Sequence, residues 1–228
     1  MNAKEAAGEA AIKHVASGMA VGLGTGSTAD YFLIALGREI RAGNLKDILG
    51  VPTSERSRKR AAELGIPLTT LSDKPILDVA VDGADEVAPG LKLIKGLGGA
   101  LLREKIIAQA AKKFIAIVDG SKIVDRLGTH APVPVEVVTF EHAAHVQFFE
   151  KLGARPILRL ADGKPYVTDN GNYIYDLWFT NPGTGIPDPE KLEWSLLKRA
   201  GVAETGLFLG IAKLALIARD SGVETRET

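Results

Sequence analysis

Cysteine is absent from the 228 residues, which excludes disulfides, thiolate nucleophiles and every cysteine-ligated zinc or iron–sulfur centre. Long apolar runs are absent too. The longest, at 206–218, is interrupted by Lys213 and falls short of the roughly 20 residues a membrane-spanning helix needs. Neither sign of charge is in excess, with 28 Lys plus Arg against 28 Asp plus Glu and a pI near 6.9. No global field therefore draws the chain to nucleic acid or anionic lipid. The opening Met1-Asn2-Ala3-Lys4-Glu5 has acids at Glu5 and Glu9 and no apolar stretch, unlike a secretory signal. These absences predict a cytoplasmic protein with no nucleic-acid and no membrane partner. An apolar content of 46% is enough for a substantial core.

Short apolar runs closing in glycine or aspartate, at 19–23, 48–51, 77–81 and 114–118, alternate with amphipathic stretches at 4–17, 28–41, 54–64 and 99–112. That alternation predicts an α/β fold with a mostly parallel sheet and crossover helices. After Lys122 the texture changes: prolines stand at 132 and 134, a helical stretch at 141–152, strand-like runs at 156–160 and 173–179, and a helix near 189–200. Turn residues cluster at 161–165 and 169–172, where Asp, Asn and Gly favour chain reversal. The expectation is a smaller α+β domain over 130–203. Residues 1–129 and 204–228 would form the larger domain, because the apolar 205–218 returns to its core.

Four strand ends carry polar loops. Val21-Gly22-Leu23 runs into Gly24-Thr25-Gly26-Ser27-Thr28 and then a helix, which offers backbone N–H groups and hydroxyls to a phosphate. Glycines placed for turn geometry alone would explain the same residues. A dinucleotide fingerprint wants glycine where Ser27 stands and an acid closing the next strand, which instead ends Val51-Pro52-Thr53. The second loop, Asp82-Gly83-Ala84-Asp85, holds two carboxylates that can bind sugar hydroxyls, share a proton or take a divalent cation, or merely cap a turn. In the third, Lys95-Gly96-Leu97-Gly98-Gly99 precedes a helix bearing Glu104. Lys95 can neutralise an oxyanion there and Glu104 can act as a base, although Arg103-Glu104-Lys105 also reads as a solvated helix face. The fourth is Asp119-Gly120-Ser121-Lys122. Ligands of open α/β sheets gather beyond such strand ends, so four polar loops together indicate a pocket.

Other features point less far. His142 and His145 are three apart on a helical stretch with no further metal ligand nearby in sequence. Arg56, Arg58, Lys59 and Arg60 interleave with Glu55 and Glu63 as on a solvated helix. Tyr173, Tyr175, Trp178 and Phe179 read as core or subunit interface.

In order and spacing, Gly-Thr-Gly-Ser-Thr at 24–28, Asp-Gly-Ala-Asp-Glu at 82–86, Lys-Gly-x-Gly-Gly-Ala at 95–100, Arg-Glu-Lys at 103–105 and Gly-Ser-Lys at 120–122 resemble the ribose-5-phosphate isomerase A family. Pro-Val-Glu-Val at 134–137 and Thr-Asp-Asn-Gly-Asn at 168–172 extend the likeness over nearly the whole chain. The resemblance implies a Rossmann-like domain with a smaller ferredoxin-like α+β domain. It also implies interconversion of D-ribose 5-phosphate and D-ribulose 5-phosphate in the pentose phosphate pathway, with no metal and no organic cofactor, by a homodimer or a dimer of dimers. Carried over by motif, Thr25, Gly26, Ser27, Thr28, Asp82, Gly83, Ala84, Asp85, Lys95, Gly96, Leu97 and Gly98 line the sugar-phosphate site. Lys122 completes it, and Glu104 matches the catalytic base.

An aldose becomes a ketose when a base takes the C2 proton and the enediolate is reprotonated at C1. Lys95, then Lys122, suits the enediolate oxygen; Asp82 suits proton movement in ring opening, and Asp85 suits orientation of the hydroxyls. Arg103 can contact the phosphate or pair with a neighbour, and Lys4 can reach the phosphate from the first helix. The pattern departs from many bacterial members at Leu97, where they carry glycine. Two other functions fit the fold class: a sugar-phosphate sensor, although no helix-turn-helix pattern precedes the first strand, and an acyl-CoA transferase-like enzyme with a carboxylate nucleophile.

Overall fold

Asn2 starts the first helix, α1 (Ala3–Ile12): its side chain accepts the Glu5 N–H and Glu5 reaches back to the Asn2 N–H, a reciprocal cap that satisfies two otherwise orphaned donors. The helix ends before the expected 17, where successive bonds from His14 to Ala11 and from Val15 to Ile12 tighten the turn. The structure is a computed structural model that describes residues 2–179 and 185–228. From α1 the chain continues through β1 (Ala20–Leu23), α2 (Ser27–Arg41), β2 (Leu49–Pro52), α3 (Glu55–Glu63) and β3 (Val79–Gly83). Next come β4 (Glu86–Ala88), β5 (Lys92–Ile94), α4 (Leu101–Ala110), β6 (Phe114–Asp119) and β7 (Val133–Val137). Then follow α5 (Val146–Lys151), β8 (Ala154–Leu158), β9 (Leu160–Ala161), β10 (Lys164–Pro165) and β11 (Tyr173–Phe179). The last elements are α6 (Pro189–Leu197), β12 (Val202–Thr205), β13 (Leu207–Phe208), β14 (Ala212–Arg219) and β15 (Gly222–Glu227).

Spatially the chain forms two units, one of Met1–Ala84, Arg103–Lys122 and Gly210–Thr228, the other of Asp85–Leu102 and Ile123–Leu209. This grouping differs from the division expected at 129/130 and 203/204, because the three-stranded sheet of β4, β5 and β13 packs its Ala88, Ile94 and Leu207 into one core with Val133, Val135 and Leu177.

The first unit is built on a six-stranded sheet in the order β15-β14-β6-β3-β1-β2, parallel except for β15. β1 is buried at every position, the pattern of a parallel strand covered on both faces. Its Gly22 admits the neighbouring layer, since a Cβ there would stand 2.6 Å from the Ala80 Cβ and from Ile107. The expected return of 205–218 takes the form of β14, whose Leu214, Leu216 and Ala218 join Val21, Leu23, Phe32 and Leu36 in one core.

In the second unit, β7, α5, β8, β11, α6 and β12 form a βαββαβ unit whose antiparallel sheet runs β12-β7-β11-β8, a ferredoxin-like arrangement. β11 is an interior strand, with Ile174, Tyr175 and Leu177 buried, so the aromatic stretch at 173–179 serves the core. Pro134 sits inside β7, a position unusual for a residue with no N–H. Its carbonyl accepts from Gly206 N at 2.7 Å just past the end of β12. In an antiparallel strand a residue's N and C=O face the same neighbour, so the missing donor falls beyond the last β12 pair and the bonds to β11 are intact. Gly206 leaves room for the ring, because a Cβ there would lie 2.7 Å from Pro134 Cδ.

Candidate functional site

In the first unit, β1 and β3 end side by side, in register at Leu23 and Val81, and deliver the 24–28 loop beside Asp82. Thr25 N and Gly83 N donate to Asp82 Oδ1 at 2.9 and 2.7 Å. The approach demands glycine at 24, where a Cβ would stand 2.4 Å from that oxygen. Thr25 Oγ1 lies 2.7 Å from both Thr53 Oγ1 and Ser54 Oγ, which fixes the loop from below. Gly26, at φ 114°, precedes α2 and gives it no side-chain cap. An uncapped helix N-terminus points its first N–H groups and the positive end of its dipole at an anion. Lys4 adds charge to this end, its Nζ 2.9 Å from Ser27 Oγ.

Glu104 lies in the first turn of α4 and is 4% exposed. The solvated-face reading of Arg103-Glu104-Lys105 is therefore corrected: Glu104 and Lys105 are buried, while Arg103 reaches outward to Glu55 at 3.1 Å. Beyond β6, Lys122 ends a short 3-10 turn, Gly120–Lys122. Burial opposes ionisation of the neighbouring Asp119, but hydrogen bonds from Ser121 and the charges of Lys122 and Lys4 outweigh it and hold the carboxyl below its ordinary value. An open cavity of about 920 Å3 is lined by Lys4, Tyr31, Asp119 and Ser121 among others. A second, of about 390 Å3, lies against Gly24 to Ser27, with Arg56 and Arg60.

In the second unit, β5 delivers Lys95 at 2% exposure, its backbone N donating to Gly206 O at 2.9 Å and its Nζ 5.4 Å from the centre of the Phe208 ring. The chain then turns through Gly96 at φ 104° and Gly99 at φ 82°, values that favour residues without Cβ. Leu97 and Gly98 between them are exposed. Asp85 is tied to this turn: its backbone N donates to Ile94 O at 2.8 Å, and its Oδ2 accepts from Leu97 N at 3.0 Å. The loop accommodates leucine at 97 because the side chain stands largely in solvent. Glu86, next in the motif, is structural: its carboxylate accepts from the N–H groups of Gly128, His130 and Ala131 at 2.5 to 2.8 Å.

The weaker candidates go elsewhere. His142 Nδ1 is 2.9 Å from the Tyr175 hydroxyl, and His145 stacks on Phe149. Two of the basic residues of α3 are paired, Arg58 with Glu55 and Arg60 with Asp30, both at 2.7 Å. The contact of Lys4 with Ser27 places this lysine at the expected phosphate loop, and Arg103 takes the other of its two expected roles, pairing with Glu55.

The family model of ribose 5-phosphate isomerase A (phosphoriboisomerase A) matches residues 49–222. A ribose-5-phosphate isomerase A from Roseiflexus castenholzii is 51% identical over 218 residues, covering 95% of this chain and 92% of its own. A solved D-ribose-5-phosphate isomerase in complex with phospho-erythronic acid has a TM-score of 0.94 at 40% identity, over 100% of both chains. The ribose 5-phosphate isomerase A of Methanocaldococcus jannaschii gives 0.92 at 39%, covering 99% of this chain and 98% of that one. With the family model spanning well over half the chain and a relative sharing half its residues almost end to end, this chain belongs to the ribose 5-phosphate isomerase A family.

Proposed function

We propose that this chain interconverts D-ribose 5-phosphate and D-ribulose 5-phosphate, with Glu104 carrying one proton between C2 and C1. In the opened sugar the Glu104 carboxylate takes the C2 proton, the electron pair forms the C1–C2 double bond, and the former aldehyde oxygen becomes anionic. Lys95 and the backbone donors of the 96–98 turn stabilise that oxygen. The protonated Glu104 then returns its proton to C1 as the O2–H proton passes to the anionic O1, leaving the C2 ketone and a C1 hydroxyl. Asp82 serves ring opening by moving a proton between the ring oxygen and the C1 hydroxyl, and Asp85 orients hydroxyls. The phosphate takes the α2 N-terminus at Thr25, Gly26, Ser27 and Thr28, with Lys4 and Lys122 supplying charge.

The observation that carries this reading is the burial of Asp82, Lys95 and Glu104, only 3%, 2% and 4% exposed. Taking ionised groups out of water costs several kcal/mol each, and the motif resemblance assigns these three positions to the reaction's machinery. The phospho-erythronic acid held by a solved relative is in keeping with it, for a carboxylate has the planar, anionic form of an enediolate. Isomerisation in deuterated water with excess chelator tests the reading. Deuterium is expected at C1 of the ribulose 5-phosphate in the turnovers where the protonated Glu104 exchanges with solvent before returning its proton, and the original C2 hydrogen in the rest. Binding of the sugar phosphate without turnover would mean a sensor, and turnover of CoA esters a transferase.

A homodimer or dimer of dimers in the cytoplasm completes the proposal. Exposed Ile157, Leu160 and Val167 give the second unit apolar surface for another copy. Light scattering should return two or four times the 24.2 kDa chain mass; a monomer at working concentration would contradict it.

A further inference from the structure

We propose that Arg159, held by Asp176, is the positioning residue that sets the peptide planes of the 96–98 turn and thereby aims both Asp85 and the Gly98 N–H at the substrate. The inference rests on the isomerase reading and adds residues that lie outside every motif of the sequence analysis.

The guanidinium grips Asp176 with two bonds, Nε to Oδ2 at 2.9 Å and Nη2 to Oδ1 at 2.5 Å. Its remaining arm, Nη1, donates to Gly96 O at 2.9 Å and Leu97 O at 3.2 Å. Both side chains are mostly buried, at 14% and 15% exposure. The backbone under Arg159 is pinned as well: its N donates to Ile174 O at 2.8 Å and its carbonyl accepts from Tyr166 N at 2.9 Å. Tyr166 closes the other end of the turn, since a Cβ on Gly99 would stand 2.3 Å from its hydroxyl oxygen.

In a trans peptide the N–H points opposite to the C=O of the same unit. The carbonyl of Gly96 shares its plane with the Leu97 N–H, and that of Leu97 with the Gly98 N–H. One cation holding both carbonyls therefore turns both N–H groups to the opposite side. There the Leu97 N–H meets Asp85 Oδ2 at 3.0 Å, while Gly98 faces solvent. Successive N–H groups on one side form a concavity for an anion, and a cation on the far carbonyls polarises those peptides so that they donate more strongly. A buried ion pair gives little net stability compared with apolar packing, whereas the bidentate fork fixes a geometry. Oxyanion stabilisation depends on donors that are in place before the charge develops.

The test compares wild type with Arg159→Ala and Arg159→Lys for kcat, KM and thermal midpoint, with and without added guanidinium. Removing an oxyanion donor lowers kcat by about 10²–10³-fold, so misaiming one should lower kcat by about tenfold to a hundredfold in Arg159→Ala, with KM changed by less than about threefold. Free guanidinium should restore part of that loss while leaving wild type unaffected, and Arg159→Lys should fall between. If Arg159→Ala does not fold, Asp176→Asn keeps the shape and loosens the fork, and the same fall in kcat at steady KM is expected from it. A folded variant with wild-type kcat would overturn the inference, as would a loss that guanidinium leaves untouched and that appears equally in KM. Wild type unable to isomerise ribose 5-phosphate would bring down the underlying reading itself, which separates that failure from this one.

Discussion

At Gly24 a single missing side chain lets a backbone loop reach a carboxylate: the Thr25 N–H meets Asp82 Oδ1 because nothing occupies the 2.4 Å that a Cβ would leave. Residues of this kind were legible in the sequence because each closes an apolar strand run, although glycine and aspartate there fit a plain turn as well. Arg159 and Asp176 were not, because two charges 17 residues apart carry no local signature and are joined only when β8 and β11 pair. His145 was read as a possible ligand and is instead a buried ring, its pKa lowered by burial first and by Arg199 and His142 next. The unfolded ring protonates near 6.5 while the folded one resists, so stability present above pH 6.5 is lost as pH falls through the lower folded value. Denaturation midpoints should therefore decline between pH 7 and 5, and His145→Phe should flatten the decline. The burial-lowered His14 will leave a residual slope. An unchanged pH profile in that variant would show that His145 carries none of it.

Among elements, those with strong apolar patterns were legible: β1, β2, β3 and β6 lie within two residues of their expected limits, and β11 matches at both ends. The short β4, β5 and β13 were missed, since two or three residues hold no period. β15, reading Gly-Val-Glu-Thr-Arg-Glu, was missed because an exposed edge strand needs no apolar alternation; its Glu224 pairs with Arg219 and Arg226. The turn expected at 169–172 is present, but its anchor is not legible in the sequence. Glu136 on β7 is fully buried, and its Oε1 accepts from Thr168 Oγ1, Asn170 Nδ2 and Asn172 Nδ2 at 2.9 to 3.0 Å. A hydrogen bond to a charged group contributes about 1.5–3 kcal/mol. Thr168→Val should therefore lower unfolding free energy by about that amount in urea titration, and a loss under about 0.5 kcal/mol would show that the asparagines alone hold the turn.

For the molecule as a whole, the sequence pattern conveyed a parallel sheet followed by a smaller α+β region, and the family match and the neighbouring structures agree with it. The spatial grouping of 85–102 was not legible, since it depends on Ala88 and Ile94 packing with Val133, Val135 and Leu177, far along the chain. The site motifs span that same stretch: Asp82 and Asp85 flank its beginning, Lys95 lies within it, and Glu104 follows its end. The central claim is that one buried carboxylate moves the proton. It is tested most directly by conversion of ribose 5-phosphate under excess chelator, comparing wild type with Glu104→Gln, which keeps the side chain's shape and removes its basicity. General base catalysis contributes about 10²–10⁴-fold, so the variant should bind the sugar phosphate and lose at least about a hundredfold in kcat. Turnover at the wild-type rate in Glu104→Gln would contradict the account.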